Sequence, residues 1–393
     1  MSKLEQNLSE RKENFESKPQ IFDLSERADQ ANVDKLFNDG RIQFVSDDYK
    51  EEQLELFGVK NPSKVYTPTF KQQFKEFYDN LQKNTPLWQD GKWVFYPWLS
   101  KLVHILDEDD FQLVRTARNK NLINKEEQGK FYNSTVGIGG LSVGTGVAYA
   151  LVLQGGAKHL KLADMDRLAL SNTNRILSGV DNLGVLKVEM AARMIYQINP
   201  YADVKLYPGG LNKDNLDEFC GDLDVMIDEL DNLAVKYLIR EQCSKRGIPV
   251  VMAADNGDNA VVDIERYDID KKTPFFHGRI PGATYESLSK LDKFGIGKTI
   301  TQHVGPENVT ERMQQSLLEM GKTIVSWPQL GGAAMLNGAA VAYCVRKILN
   351  NQPLEANRSL LIMDAHLDPN YNSSESIEKR KTVTEGFRKI FGL

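Results

Sequence analysis

From Ser134 to about Asn256 the chain alternates between short apolar runs and longer amphipathic ones, and this rhythm restricts the fold more than any other feature. "TVGIG" reads as a buried strand and "LSVGTGVAYALVLQGG" as a helix closed by glycines. "HLKLADMD" is a second strand, followed by the helix "GVLKVEMAARMIYQINP", which Pro200 stops. "DVKLYPGG" is a strand, "KDNLDEFC" a short helix and "LDVMIDELDN" a strand; "LAVKYLIREQCSKRG" is a helix and "IPVVMAADN" a strand. Strands and helices alternating at this length imply an α/β fold. Its sheet is doubly wound, mainly parallel and Rossmann-like, with helices on both faces. Ligands of such sheets lie beyond the carboxyl ends of the strands, and the polar motifs of this chain fall there.

The flanks differ. Residues 1–108 are rich in Lys, Glu, Gln, Asn and aromatics, with helical stretches such as "YTPTFKQQFKEFYDNLQKN" and the aromatic cluster "GKWVFYPWLSKLVHIL". They are expected to form a mostly helical appendage, either packing on the main domain or recruiting substrate. Residues 109–350 form the nucleotide-binding domain, and 351–393 a tail with a charged, solvated helix from Asn372 to Lys389. After about Asp270 the periodicity loosens. "GGAAMLNGAAVAYCVRKILNN" then reads as a small-residue helix suited to close packing against a sheet or a partner.

Bulk properties exclude several classes. A net charge of -5 in 393 residues argues against a nucleic-acid binder held by a basic surface. No apolar run reaches the length of a membrane span, and "MSKLEQNLSERKENFESKPQ" lacks the apolar core of a secretion signal. A cytoplasmic location is expected. Cys220, Cys243 and Cys344 are widely separated and form no Cys-x-x-Cys pair, so neither a disulfide framework nor structural zinc is expected.

"VGIGGLSVGTG" places Gly137, Gly139 and Gly140 where a strand turns tightly into a helix and backbone N–H groups point at phosphate. Asp164, ending the second strand, suits a ribose, so a dinucleotide fits in part. The third glycine of that fingerprint is replaced by Ser142, however. The next residues, "DMDRLALSNTNR", add Asp166, Ser171, Asn172, Asn174 and Arg175, and Lys187 opens the following helix. Cations in number suit a nucleoside triphosphate better than NAD. Asp231 in "DELDN" ends the fourth strand, where a carboxylate holds Mg²⁺ against phosphates. Asn232, next to Asp231, is expected to bind the nucleotide as well. Asp231 also reads as the N-cap of the next helix, and Asp166 as a turn residue. No Gly-x-x-x-x-Gly-Lys-Ser/Thr loop is present, so this is not a P-loop enzyme.

GxGG, D-x-D, S-N-x-N-R, a lysine opening a helix, "INP" and D-x-x-D-N, in that order, resemble the ThiF/MoeB/HesA family, relatives of ubiquitin-activating enzymes. The resemblance spans roughly Phe111 to Asp255, more weakly to Asn350. It implies an ATP-dependent adenylyltransferase that activates a carboxylate, the C-terminus of a ubiquitin-like protein or a peptide. It also implies a homodimer, with Arg118 of "RTARNKNL" reaching the other subunit's ATP site. In that reading the backbone of Gly139, Gly140, Leu141 and Ser142 supports phosphates, Asp164 holds the ribose and Asn172 orients a phosphate or the metal's water. Arg118, Arg175, Lys187 and Mg²⁺ on Asp231 offset the charge as carboxylate meets phosphate.

The chain departs from the family in three places. The stretch from Ile248 to Leu336 holds no cysteine, so a thioester relay is not expected, and Cys344 reads as core. Ile176 stands where a glutamine usually follows the motif arginine. His277 and His303 are unassigned polar residues. Alternatives are an ATP-dependent dehydratase or peptide-tailoring enzyme of the same family, an NAD(P)-dependent oxidoreductase, and a non-enzymatic scaffold.

Overall fold

A computed structural model describes residues 16–393, so part of the N-terminal segment read for a secretion signal, residues 1–15, lies outside the described residues. The chain divides into two compact units: one of residues up to Asn124 with Ala192–Tyr201, the other of Lys125–Ala191 with Ala202–Leu393.

The first unit is mostly helical, with α1 (Arg27–Asn38), α2 (Tyr49–Lys60), α3 (Phe70–Asn84) and α4 (Glu108–Arg115). It also contains a four-stranded sheet that the sequence reading did not foresee. Its strands β1 (Gln20–Phe22), β2 (Phe44–Asp47), β3 (Lys92–Tyr96) and β4 (Lys101–Ile105) lie in the order β1-β3-β4-β2. The aromatic cluster supplies β3 and β4. Successive side chains of β3 point to opposite faces: Trp93 and Phe95 join Phe22, Leu36 and Leu102, whereas Val94 and Tyr96 join Ile105.

In the second unit seven strands form one sheet in the order β11-β10-β9-β8-β5-β6-β7. β5 (Thr135–Gly139), β6 (His159–Ala163), β7 (Asp203–Tyr207), β8 (Val225–Asp228) and β9 (Val250–Asn256) run parallel, as expected. β10 (Asn259–Glu265) and β11 (Arg358–Leu361) add an antiparallel edge that periodicity did not reveal. The chain goes from β5 outward to β6 and β7, then returns to the other side of β5 with β8. The switch point between β5 and β8 is where such sheets open a crevice.

The connecting helices are α5 (Lys125–Tyr132), α6 (Val143–Leu153), α7 (Lys187–Ile198), α8 (Leu216–Cys220) and α9 (Leu233–Arg246), of which α7 passes into the first unit at Ala192. Beyond β10 come α10 (Tyr285–Ser289), α11 (Lys293–Val304), α12 (Glu311–Glu319), α13 (Gly331–Leu349), α14 (Asp364–Leu367) and α15 (Ser374–Phe391). The close-packing role of the small-residue helix α13 is observed. A Cβ on Gly338 would stand 2.7 Å from the backbone of Gly146 in α6, so glycine is required for the two helices to approach this far. The charged tail forms a helix but is not solvated throughout. Phe387 and Phe391 are buried among Val261, Val304, Met313 and Leu317, and that apolar contact anchors α15.

Candidate active site

The polar residues gather where β5, β6, β8 and β9 end. Gly140 turns the chain out of β5 with φ +87°, and a Cβ there would lie 2.3 Å from the carbonyl oxygen of Glu229. Only glycine fits this turn. It allows Ser142 to start α6.

Hydrogen bonding revises the expected phosphate cradle. Gly139 lies within β5, the Gly140 N–H donates to the Ala163 carbonyl at 2.8 Å, and the Leu141 N–H donates to Asp164 Oδ2 at 2.7 Å. These groups are spent holding the turn. A helix leaves its first N–H groups without intrahelical partners, so the N–H groups not used in the turn begin at the opening of α6, from Ser142 onward. Gly137 is also set back from the turn. Inside β5, its Cβ would meet Leu223 at 2.6 Å and Phe219 at 2.9 Å, so it serves packing.

Asp164 is buried at the end of β6, and burial raises its pKa above the usual carboxylate value against the pull of the Asp166 and Leu141 N–H groups. Lys187, buried at the start of α7, reaches Asp166 Oδ2 at 2.8 Å and Asp164 Oδ2 at 3.9 Å. Asp166 is thus both the turn residue and the partner of Lys187. Arg175 donates from Nε to Ser142 Oγ at 3.0 Å, which puts a guanidinium at the start of α6. Its Nη1 donates to the Ser171 carbonyl at 3.1 Å and to Asn174 Oδ1 at 3.0 Å. Asn172 Oδ1 accepts the Ala169 N–H at 3.0 Å and is committed to its own turn.

β8 stops at Asp228, so Asp231 does not end the strand but lies exposed in the loop beyond it, and Asn232, expected at the nucleotide, instead caps α9 by accepting the Ala234 and Val235 N–H groups. Among the described residues no cluster of three or more His, Cys, Asp or Glu side chains is placed to hold a metal. Arg118 is exposed on the turn Ala117–Asn119 of the first unit. Ile176 is buried against Leu168 and Met190. His277 Nε2 lies 3.0 Å from the Ile264 carbonyl, and His303 Nε2 lies 2.9 Å from Asp263 Oδ2, both beside the part of β10 that pairs with the start of β9, away from the carboxyl ends of the parallel strands. All three cysteines are buried, and burial pushes the Cys344 thiol up to about 11.

Two carboxyls at this edge escaped the sequence reading. Glu229 accepts the Ala253 N–H at 2.9 Å, and burial raises its pKa well above the usual value. Asp255, at the end of β9, is buried and raised in the same way. Strand-end position alone would have marked Asp255. Behind them, Asp228 forms a fully buried ion network with Lys236 at 3.1 Å and Arg240 at 2.5 Å, and Arg240 continues to Glu265 at 2.8 Å. Burial pushes the Asp228 carboxyl up, but the two cations hold it below its usual value.

The arrangement offers a glycine turn, a helix start, a buried carboxylate and two cations on one edge of the sheet. Residues 116–365 match the ThiF family. An uncharacterized protein of Mycobacterium tuberculosis is 35% identical over 330 residues, covering 83% of this chain and 46% of that protein. A molybdopterin-synthase adenylyltransferase of Haemophilus influenzae is 29% identical over 157 residues, covering 40% of this chain and 59% of that protein. The matched parts span about half the length of these curated relatives. The crystal structure of Escherichia coli MccB with ATP aligns with a TM-score of 0.46 at 17% identity, covering 66% of this chain and 77% of that one.

Proposed function

The chain belongs to the ThiF family, and from that premise we propose that it is an ATP-dependent adenylyltransferase. It activates a carboxylate, the C-terminus of a ubiquitin-like protein or of a peptide, as an acyl-adenylate. The observation that carries this reading is the contact of Arg175 with Ser142 at the start of α6, beside Lys187 and Asp164. These groups fit a ribose followed by phosphates. The carboxylate of Asp164 accepts the ribose hydroxyls, and the opening N–H groups of α6 donate to phosphate oxygens.

In the reaction a carboxylate oxygen of the substrate attacks the α-phosphorus of ATP. The bond to the bridging oxygen breaks, and pyrophosphate leaves with that electron pair. Anion approaches anion, so positive charge fixed in advance lowers the barrier. Lys187, positioned by Asp166, and Arg175, positioned by Ser142 and Asn174, supply it. Mg²⁺, when bound, offsets phosphate charge. Asp231 would hold it with the phosphates' own oxygens, the usual mode for an ion bound through one or two carboxylates. Arg118 serves the site of a second copy, which makes the functional unit a homodimer. No thiol is needed for attack on phosphorus.

The test is exchange of labelled pyrophosphate into ATP, dependent on a carboxylate substrate drawn from candidate small proteins and peptides. Asp231→Ala, at an exposed position, keeps the fold and lowers exchange by about a thousandfold or more. Cys220→Ala, Cys243→Ala and Cys344→Ala retain it. An unchanged rate for Asp231→Ala would refute the metal assignment. Loss of exchange in a folded cysteine variant would refute the thiol-free step.

A further inference from the structure

Asp255 is 7% exposed and stands at the carboxyl end of β9. Its Oδ2 accepts Gln329 Nε2 at 2.9 Å, and its Oδ1 accepts Asn337 Nδ2, a side chain wholly buried in α13. Burying a carboxylate is unfavourable unless donors or a cation surround it. The two amides do so, with the positive charge of Arg175 nearby. The chain of contacts continues. The Gln329 carbonyl accepts Asn174 Nδ2 at 2.8 Å, Asn174 Oδ1 accepts Arg175 Nη1 at 3.0 Å, and Arg175 Nε meets Ser142 Oγ at 3.0 Å. The segment before α13 is pressed against this loop. A Cβ on Gly331 would come within 2.5 Å of the Asn174 carbonyl oxygen.

We propose that Asp255 and Gln329 are positioning residues, which through Asn174 hold the Arg175 guanidinium at the opening of α6, ready for the phosphates beyond the first. This rests on the ATP reading of the site. Its logic is geometric: β9 and the start of α13 are fixed by the core, and the relay transfers that fixity to a loop whose own residues Ser171 and Asn174 are exposed. Orienting a cation before the ligand arrives removes the entropy of ordering it on binding.

Asn337 makes the hypothesis separable from charge. Its Oδ1 is buried and has no hydrogen-bond partner. In Asp255→Asn, the new amide can donate to that oxygen once the Asn337 side chain turns over, while its own oxygen still accepts from Gln329. The tether survives and the charge does not. Asp255→Ala removes both, and Gln329→Ala, at a half-buried position, removes the anchor alone.

The experiment titrates ATP and AMP separately into the full chain by calorimetry. Asp255→Ala and Gln329→Ala should weaken ATP by about tenfold, the scale of one charge-assisted hydrogen bond. Both should leave AMP within about twofold of the unaltered protein, since AMP lacks the phosphates Arg175 serves. Asp255→Asn should stay near the unaltered protein for both ligands. Equal weakening of ATP and AMP, no change in either, or an Asp255→Asn variant as weak as Asp255→Ala would overturn the proposal. Should Asp255→Ala fail to fold, Gln329→Ala carries the same comparison. Failure of the unaltered protein to bind ATP is a different result and overturns the nucleotide reading itself.

Discussion

Gly140 and Glu229 are in backbone contact: a Cβ on Gly140 would lie 2.3 Å from the Glu229 carbonyl oxygen, and the Gly140 φ of +87° is one L side chains rarely adopt. The glycine turn is thus locked to the end of β8 as well as to β6. Gly140→Ala should destabilise the protein by about 1–3 kcal/mol and displace the start of α6. ATP binding should fall with it. Thermal unfolding and an ATP titration check both, and a stable variant with normal ATP affinity would show that the turn is not used.

Arg240 is the hub of the buried ion network, between Asp228 and Glu265, with its guanidinium carbon 4.0 Å from the centre of the Phe276 ring. Removing one member of such a network leaves an uncompensated charge in the interior. Arg240→Met should reduce stability by about 3–5 kcal/mol, as measured by denaturant unfolding. Lys205→Ala breaks the exposed pair with Glu218 and should change stability little.

In the first unit, burial pushes the Glu52 carboxyl up to about 7, against the Leu106 N–H donated to its Oε2 and with Asp48, Glu55 and Asp47 nearby. The folded state holds this proton more tightly than the unfolded one. Its contribution is therefore complete below the ordinary carboxylate value of 4.5 and is lost as pH rises through about 7. Glu52→Gln, which cannot ionise, should gain Tm over the unaltered protein at pH 8 and not at pH 4.5. The same difference at both pH values would refute the assignment.

Where one residue run determines one element, the sequence was sufficient. The elements from Thr135 to Asn256 were legible because the inner strands β5, β8 and β9 are buried apolar runs, the edge strand β7 alternates Asp203, Lys205 with Val204, Leu206, and a helix such as α7 carries its own stop at Pro200. That α13 packs closely was legible in its run of small residues, but that the Gly338 contact is made with Gly146 of α6, rather than with a sheet or a partner, was not. β3 was missed because a short buried run such as Trp93, Val94, Phe95 and Tyr96 is not told from a buried helical turn by periodicity, and here the flanking stretch, unlike the glycine-bounded run of β5, reads as helical. In the site, residue types at strand ends were readable, but the fate of each hydrogen bond was not. That Leu141 gives its N–H to Asp164 depends on how β5 and β6 pair. The bonds from Asp255 to Gln329 and Asn337 join residues more than seventy positions apart, and only the folded chain brings them together. Phe387 and Phe391 were hidden in the same way, as two apolar residues in a charged run.

The proposed homodimer has a direct consequence. If Arg118 acts in the site of the other copy, Arg118→Ala and Asp231→Ala subunits are each inactive alone. Mixed, they should recover about a quarter of the wild-type exchange rate, since random pairing makes half the dimers mixed and each of these holds one intact site. A mixture as inactive as its parts would refute the shared site.

If the crevice at the ends of β5, β6 and β8 takes ATP, the nucleotide raises the melting temperature, as any ligand that binds only the folded state does. Thermal unfolding of the full chain with ATP and Mg²⁺, with NAD and NADP in their oxidised and reduced forms, and with no ligand tests it most directly. Tm should rise with ATP concentration and stay unchanged with either dinucleotide. A rise with NADH and none with ATP would contradict it.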